Sequence, residues 1–163
     1  MISGGAITLR PWVRSDIAFL YDSWQDAEMQ RWTHVHPYTA LDAATFIEMH
    51  ARPQPEQDGA FFAIIRTDND EVLGSISFEH IDWDLGVADA GYWVSAESRG
   101  DGVATSALES LVEWGRGELR LVEVRLHVAA KNHVSQRVAE RAGFVRADAD
   151  SDEMVAFVRS LVP

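Results

Sequence analysis

The chain has 163 residues, of which 47% are hydrophobic and 25% charged, a composition typical of one compact domain spanning residues 1–163. It contains no cysteine, which excludes disulfides, thiolate metal sites and a cysteine nucleophile. Its 14 Lys and Arg against 26 Asp and Glu give a net charge of −12. Nucleic acid and anionic lipid need a basic surface and are therefore not expected as partners. A cationic partner such as an amine suits this charge, and so does simple solubility.

No apolar run approaches the roughly 20 residues that cross a bilayer, and the first residues do not have the pattern of a signal peptide. We therefore expect a soluble, cytoplasmic protein.

The first part of the chain predicts one strand, two helices and three further strands. Residues Ala6 to Arg10 are followed by Pro11, which cannot donate to a central ladder, so we predict an edge strand. Apolar residues at helical spacing follow from Ile17 to Trp24, and Thr39 with Asp42 has the pattern of a capping box before a second helix. Apolar or alternating patterns then predict strands over Ala60–Arg66, Glu71–Phe78 and Ala88–Val94. Gly91, in the middle of the last of these, indicates a bulge or a close backbone approach.

The second part alternates helices with strands. A helix is predicted from Val103 to about Leu119, a strand from Leu121 to Ala129, and a helix from about His133 to Ala142 that Gly143 ends. The last predicted strand is Met154–Ser160. The order β-α-α-β-β-β-α-β-α-β indicates a mixed α/β (α+β) domain built on one mostly antiparallel sheet.

The most informative motif lies between a strand and an amphipathic helix and reads Arg99-Gly100-Asp101-Gly102-Val103-Ala104-Thr105. Small residues in this turn let the backbone approach a bulky anion, and the free amides at a helix start bind phosphate. The turn is not a P-loop, because no Gly-Lys-Ser/Thr follows. It is not a dinucleotide fingerprint either, because the preceding strands form hairpins. We predict a site where backbone donors and Arg99 hold a polyanion against the overall charge.

A second motif, Asn132-His133-Val134-Ser135, opens the next helix. Asn132 is predicted to be its N-cap. Ser135 follows in the first turn, where a serine often has no further role.

Together, the segments ADAGYWV, RGDGVAT, NHVS and VAERAGF resemble the GCN5-related N-acetyltransferase (GNAT) superfamily. The segments TLRPW and GSISF are similar to its RimJ/RimL-type branch of ribosomal-protein N-terminal acetyltransferases. The resemblance covers about residues 6 to 160. It implies a twisted, mostly antiparallel sheet of six to seven strands flanked by four helices.

The resemblance implies acetyl-CoA as the cosubstrate and no metal. It implies that Val94 pairs with the pantetheine arm through its backbone, that Asn132 contacts the CoA arm, and that Ser135 lies beside the sulfur. The pyrophosphate is expected on the turn formed by Arg99, Gly100, Asp101, Gly102, Val103, Ala104 and Thr105.

The chain departs from the family at two catalytic positions. Ala139 stands where many members have a tyrosine as general acid, so Ser135 is the helix hydroxyl expected to protonate the leaving thiolate. Asp89 stands where the branch often has Glu. The candidate bases are Asp89, Glu79 and His80. Glu79 and His80 close the strand expected beside the one that starts at Ala88, so they could reach the acetyl end of the donor.

We therefore predict direct acetyl transfer, in a ternary complex, to a primary amine: a protein N-terminus or a small molecule. The alternative is a non-catalytic acyl-CoA-binding module or sensor with the same fold. Trp24, Trp32 and Trp83 are predicted to line the acceptor groove. Dimerisation is common in such families, so a homodimer is among the expectations.

Overall fold

A computed structural model describes residues 1–33, 38–52, 59–147 and 153–162. The helices in these ranges are α1 (Ile17–Trp24), α2 (Ala27–Trp32), α3 (Ala40–Met49), α4 (Val103–Gly117) and α5 (His133–Arg141). The strands are β1 (Ile2–Gly4), β2 (Ile7–Arg10), β3 (Ala60–Arg66), β4 (Val72–Asp82), β5 (Val87–Val94), β6 (Glu123–Ala129), β7 (Val145–Arg146) and β8 (Met154–Ser160).

All described strands belong to one sheet with the order β1-β2-β3-β4-β5-β6-β8-β7. The pairings between these strands are antiparallel except the one between β5 and β6, which is parallel. The predicted mixed fold with a mostly antiparallel sheet is thus confirmed. The predicted count of six to seven strands is wrong, because the described residues form eight.

The two strands beyond the prediction are short. Gly5 turns the chain at a φ of +78°, which lets β1 fold back on β2. Consequently β2 lies between β1 and β3, and the prediction that it is an edge strand is wrong. The two residues of β7 pair with β8 at the opposite edge, and so short a segment has no periodicity that a sequence pattern could reveal.

The described residues also contain one helix more than predicted, α2, which begins where the Asp26 carboxylate accepts a hydrogen bond from Met29 N at 2.6 Å. The capping box predicted at Thr39 and Asp42 is confirmed at the start of α3. Gly143 has a φ of +79° just beyond α5, as expected of a residue that ends a helix.

The sheet has an apolar core on each face. On one face, α4 packs through Ala107, Leu108 and Leu111, which belong to the same buried cluster as Phe78 of β4. On the other face, α1, α2 and α3 contribute to a cluster that includes Trp24. Ala139 of α5 belongs to the first cluster, so we call the two sides the α4–α5 face and the α1–α3 face. None of the described helices is long and apolar enough to cross a membrane.

Candidate active site

The centre of the sheet contains a gap between its two parallel strands. β5 pairs with β6 at three positions, the last of which joins Asp89 to Arg125. Beyond this point β5 remains paired with β4 as far as Val94, and β6 remains paired with β8 as far as Ala129. The C-terminal halves of the two strands therefore diverge, although each is held in place by its outer neighbour.

Backbone polar groups of β5 face this gap. Ser95 N donates to Leu73 O at 2.8 Å on the β4 side. Because hydrogen-bonding direction alternates along an antiparallel strand, the N–H and C=O groups of Tyr92 and Val94 point the other way, towards β6. An extended chain lying in the gap can pair with them as an added strand.

The glycine-rich turn lies directly after β5 and ends at α4. Gly100 and Gly102 have φ values of +94° and +78°, and a side chain added at either would meet open space. The first bond of α4 runs from Ser106 N to Gly102 O at 3.0 Å, and no side chain caps the helix. The amides of residues 103–105 thus have no acceptor within the helix, and they lie at the positive end of its dipole. This geometry suits an anion.

Arg99 is held by two carboxylates at the start of α2. Its guanidinium lies 3.1 Å from Asp26 Oδ1 and 3.4 Å from Glu28 Oε2, and its Nε donates to Val94 O at 3.2 Å. The Met29 backbone N–H first, and Arg99 in addition, hold the pKa of Asp26 below its ordinary value. A phosphate that recruits Arg99 must therefore compete with two carboxylates.

The first turn of α5 brings Ser135 against a tyrosine of β5. Asn132 Oδ1 accepts from Ser135 N at 3.1 Å, which makes Asn132 the N-cap as predicted. The Ser135 Oγ lies 2.6 Å from Tyr92 Oη. Burial raises the pKa of Tyr92 to about 12, and the hydrogen bond to Ser135 acts in the opposite direction. The phenol is thus neutral at physiological pH.

Sequence reasoning missed Tyr92 because it searched for a hydroxyl on the helix alone. The contact joins residues 43 apart in the chain. The available signal was the alternation in β5, which places Tyr92 on the same face as Ala88 and Ala90, towards α4 and α5.

Glu79 is placed by a bulge in β4. Phe78 pairs with Ala90 and His80 pairs with Asp89, so Glu79 is the extra residue between them. Its carboxylate lies over Gly91, and a side chain at Gly91 would contact Glu79 Oε1 and lie 2.8 Å from its Cδ. The bulge predicted from Gly91 therefore occurs in the neighbouring strand, and the group close to Gly91 is a carboxylate instead of a backbone.

Asp89 lies at the last paired position of β5, where the gap opens. Its Oδ1 is 3.8 Å from His127 Nε2 of β6, and both side chains are partly exposed. His80 faces Asp89 from β4 and Arg125 faces it from β6. Sequence reasoning missed His127, which only the parallel register of β5 and β6 brings to this place.

The two groups of side chains occupy opposite faces of the sheet. Tyr92 packs on the α4–α5 face and Trp93 on the α1–α3 face. Because side chains alternate along β5, Asp89 and Gly91 share the face of Trp93, and so does the Glu79 carboxylate that lies over Gly91. Carboxylates and hydroxyls thus approach the gap from different sides.

One predicted groove residue belongs to the core. Trp24 is 5% exposed and packs edge-on against Tyr38 and Phe46, so its predicted place in an acceptor groove is wrong. Trp83 is exposed on the loop after β4, and Arg31 stacks over the ring of Trp32 at 4.6 Å. Within the described ranges, no group of three or more His, Asp or Glu side chains could hold a metal ion.

A sheet opened between two parallel strands, beside an uncapped helix start, is a geometry suited to an acyltransferase with an extended thioester donor. The chain matches the family model described as "Acetyltransferase (GNAT) domain" over residues 6–145, and it belongs to this family. The predicted class, an N-acetyltransferase, is confirmed.

Known relatives agree with this assignment. The N-acetyltransferase p20 of Bacillus licheniformis is 29% identical over 139 residues, which cover 85% of this chain and 78% of the relative. The ribosomal-protein-serine acetyltransferase of Escherichia coli is 36% identical over 78 residues, 47% of this chain and 42% of that protein, and it supports the predicted RimJ/RimL-type branch. The structure of spermidine N-acetyltransferase from Vibrio cholerae, which contains CoA and spermine, has a TM-score of 0.83 at 17% identity and covers 95% of both chains. The predicted cosubstrate, acetyl-CoA, agrees with this family.

Proposed function

We propose that the protein transfers an acetyl group from acetyl-CoA to a primary amine by direct attack in a ternary complex. The observation that carries the proposal is the end of β5–β6 pairing at Asp89, which directs the backbone groups of Tyr92 and Val94 into a gap. The pantetheine arm takes the place of a strand there, and its thioester reaches the level of Gly91 and Ser135.

The diphosphate of the donor binds at the start of α4. The amides of Val103, Ala104 and Thr105 donate to it, and the open space around the turn from Gly100 through Asp101 to Gly102 leaves room for its oxygens. Arg99 adds charge once it leaves its carboxylate partners. Asn132, which caps α5 at the far side of the gap, contacts the arm.

Glu79 is the proposed base. Its carboxylate lies over Gly91 at the level where the gap begins, and Ser77 Oγ donates to it at 3.4 Å. Asp89 is the second candidate, with His127 beside it. Either group takes the proton of the attacking amine directly or through one water.

Ser135 presents its hydroxyl to the leaving sulfur from the opposite face. A backbone N–H at Val94 or Tyr92 meets the oxygen of the tetrahedral intermediate. Most of the rate comes from holding the amine and the thioester in line. Such orientation lowers a typical activation barrier by on the order of 7 to 11 kcal/mol.

The proposed acceptor is a protein α-amine first and a small amine second. An α-amine has a pKa of about 7.7 to 8.0, so a sizeable fraction is neutral at physiological pH, whereas a lysine amine near 10.4 needs a stronger base. The ribosomal-protein-serine relative supports the first acceptor. The spermidine enzyme supports the second, and so does the net charge of −12 of this chain, which favours a cationic acceptor.

Thiol release from acetyl-CoA with a panel of amines tests the proposal. The panel contains a serine-initiated peptide, the same peptide with a formylated N-terminus, and spermidine. We expect release with the free peptide and none with the formylated one, and Glu79→Gln is expected to lower kcat more than Asp89→Asn. No release with any amine, together with no heat of CoA binding by calorimetry, would refute the proposal.

A further inference from the structure

The phenol of Tyr92 reaches from β5 to α5 and contacts Ser135 twice. Its Oη lies 2.6 Å from Ser135 Oγ and 3.3 Å from Ser135 O. Both residues are fixed by their own elements, since Tyr92 pairs with Ile76 in the sheet and Asn132 caps the turn that carries Ser135.

The two hydroxyls have one proton each, and this allows two arrangements. If Ser135 donates to Tyr92, the phenol donates to the Ser135 carbonyl, and neither proton is available to a substrate. If Tyr92 donates to Ser135 Oγ, the serine proton is free to point into the gap. The 2.6 Å contact has the length of a good O–H···O bond, whereas 3.3 Å is long for one. The 2.6 Å contact is a hydrogen bond in either arrangement, but only the second arrangement gives the phenol proton a bond of good length, because the first leaves it with the 3.3 Å contact.

We infer that Tyr92 is a positioning residue that donates to Ser135 Oγ and so directs the serine hydroxyl at the leaving sulfur of the thioester. This inference rests on the proposed function, which places the sulfur beside Ser135. Because the phenol is neutral over the physiological range, it remains a donor throughout.

The step balances without an added reactant. The amine nitrogen forms a bond to the carbonyl carbon and gives its proton to the base, and the C–S bond breaks with its electron pair going to sulfur. The Ser135 O–H stabilises this thiolate by a hydrogen bond, which the bond from Tyr92 strengthens because linked donors polarise one another. The released thiolate takes its proton from water.

Kinetics of single and double variants provide the first test. Tyr92→Phe removes the phenol oxygen and keeps the ring, and Tyr21→Phe, on α1, is the matched control. We expect Y92F to lower kcat about ten-fold, because it removes the hydrogen bond that orients and polarises the Ser135 hydroxyl, with little change in the KM for acetyl-CoA. Because Tyr92 acts through Ser135, Y92F is expected to have no further effect in Ser135→Ala. A merely structural role would instead reduce activity equally in both backgrounds.

The second test needs no acceptor amine. With CoA bound, the pH midpoint for alkylation of its thiol reports the pKa of that thiol, which a hydrogen bond to the thiolate lowers. We expect S135A to raise the midpoint and Y92F to raise it by part of that amount. Y92F should add nothing in the S135A background, and Y21F should leave the midpoint unchanged. An active wild type whose kcat and thiol midpoint are both insensitive to Y92F overturns the inference but leaves the proposed function intact. A wild type that neither binds CoA nor releases thiol overturns both.

Discussion

The Gly91→Ala substitution is expected to displace the Glu79 carboxylate without destabilising the sheet. The added methyl group would contact Glu79 Oε1 and lie 2.8 Å from Cδ, whereas carbon atoms pack at about 3.5 to 4.0 Å. The carboxylate must therefore withdraw by roughly 1 Å. Glu79 is exposed, so its side chain can move at little cost and the strand backbone need not shift.

The expected effect is a loss of activity without a loss of stability. Misplacing a reacting group by about 1 Å costs on the order of 100-fold in rate, so kcat/KM of G91A is expected to fall by about that factor. Alanine is also favoured over glycine within a strand by roughly 0.5 to 1 kcal/mol, which offsets part of the remaining crowding. Thiol release and denaturant unfolding measure the two quantities on the same preparation.

Two comparisons decide whether the loss acts through Glu79. In a Glu79→Gln background, where the base is already absent, G91A is expected to add little. If it lowers the residual activity of E79Q by the same factor, the methyl group blocks substrate and the reasoning is refuted. Gly74→Ala is the structural control, because there the added carbon would meet Trp93 O and lie 3.0 Å from Val94 Cα. Backbone atoms cannot withdraw as a side chain does, so G74A is expected to destabilise the fold.

Three further outcomes follow from the contacts around the gap. Asp26→Asn combined with Glu28→Gln keeps a capping residue at the start of α2 but releases Arg99 from its carboxylate partners. CoA is therefore expected to bind several-fold tighter in calorimetry, whereas Arg99→Ala is expected to weaken CoA binding about ten-fold. Asn132→Ala removes the cap of α5 and is expected to cost about 1 kcal/mol in denaturant unfolding, and Asn132→Asp restores it. Because the pKa of Tyr92 is raised to about 12 from the ordinary 10, the folded state keeps a proton that the unfolded chain loses. Stability is therefore expected to fall between pH 10 and 12 by up to roughly 3 kcal/mol, and unfolding of Tyr92→Phe over this range should lack the decrease.

Local signals in the sequence accounted for two helix starts and for the turn before α4. Thr39 with Asp42 marked the start of α3, and Asn132 marked the start of α5, because a cap is a contact between residues three apart. The glycines at 100 and 102 marked the turn before α4, since positive φ values there favour glycine. Such interactions are complete within a few residues and do not depend on the rest of the fold.

The side-chain contacts around the gap could not be predicted in this way. The position of Glu79 depends on a one-residue shift between β4 and β5, and either register is compatible with the same alternation of apolar residues near Phe78. His127 reaches Asp89 through a parallel pairing, and Tyr92 reaches Ser135 because the first turn of α5 lies against β5. Each contact requires knowledge of which strands are neighbours and in what register.

The gap itself depends on competition between strand partners. Beyond Asp89, β5 keeps its full pairing with β4 and β6 keeps its full pairing with β8, so neither strand can bend towards the other without breaking bonds on its outer side. The unpaired edges that result would expose backbone donors and acceptors to association with other chains. On one side Arg99 already satisfies Val94 O at 3.2 Å, and on the other Gln136 Nε2 donates to Ala130 O at 2.8 Å just beyond β6. A chain that adds to these edges must displace both side chains, so under the proposed function the strength of the Arg99 contacts is expected to affect donor affinity.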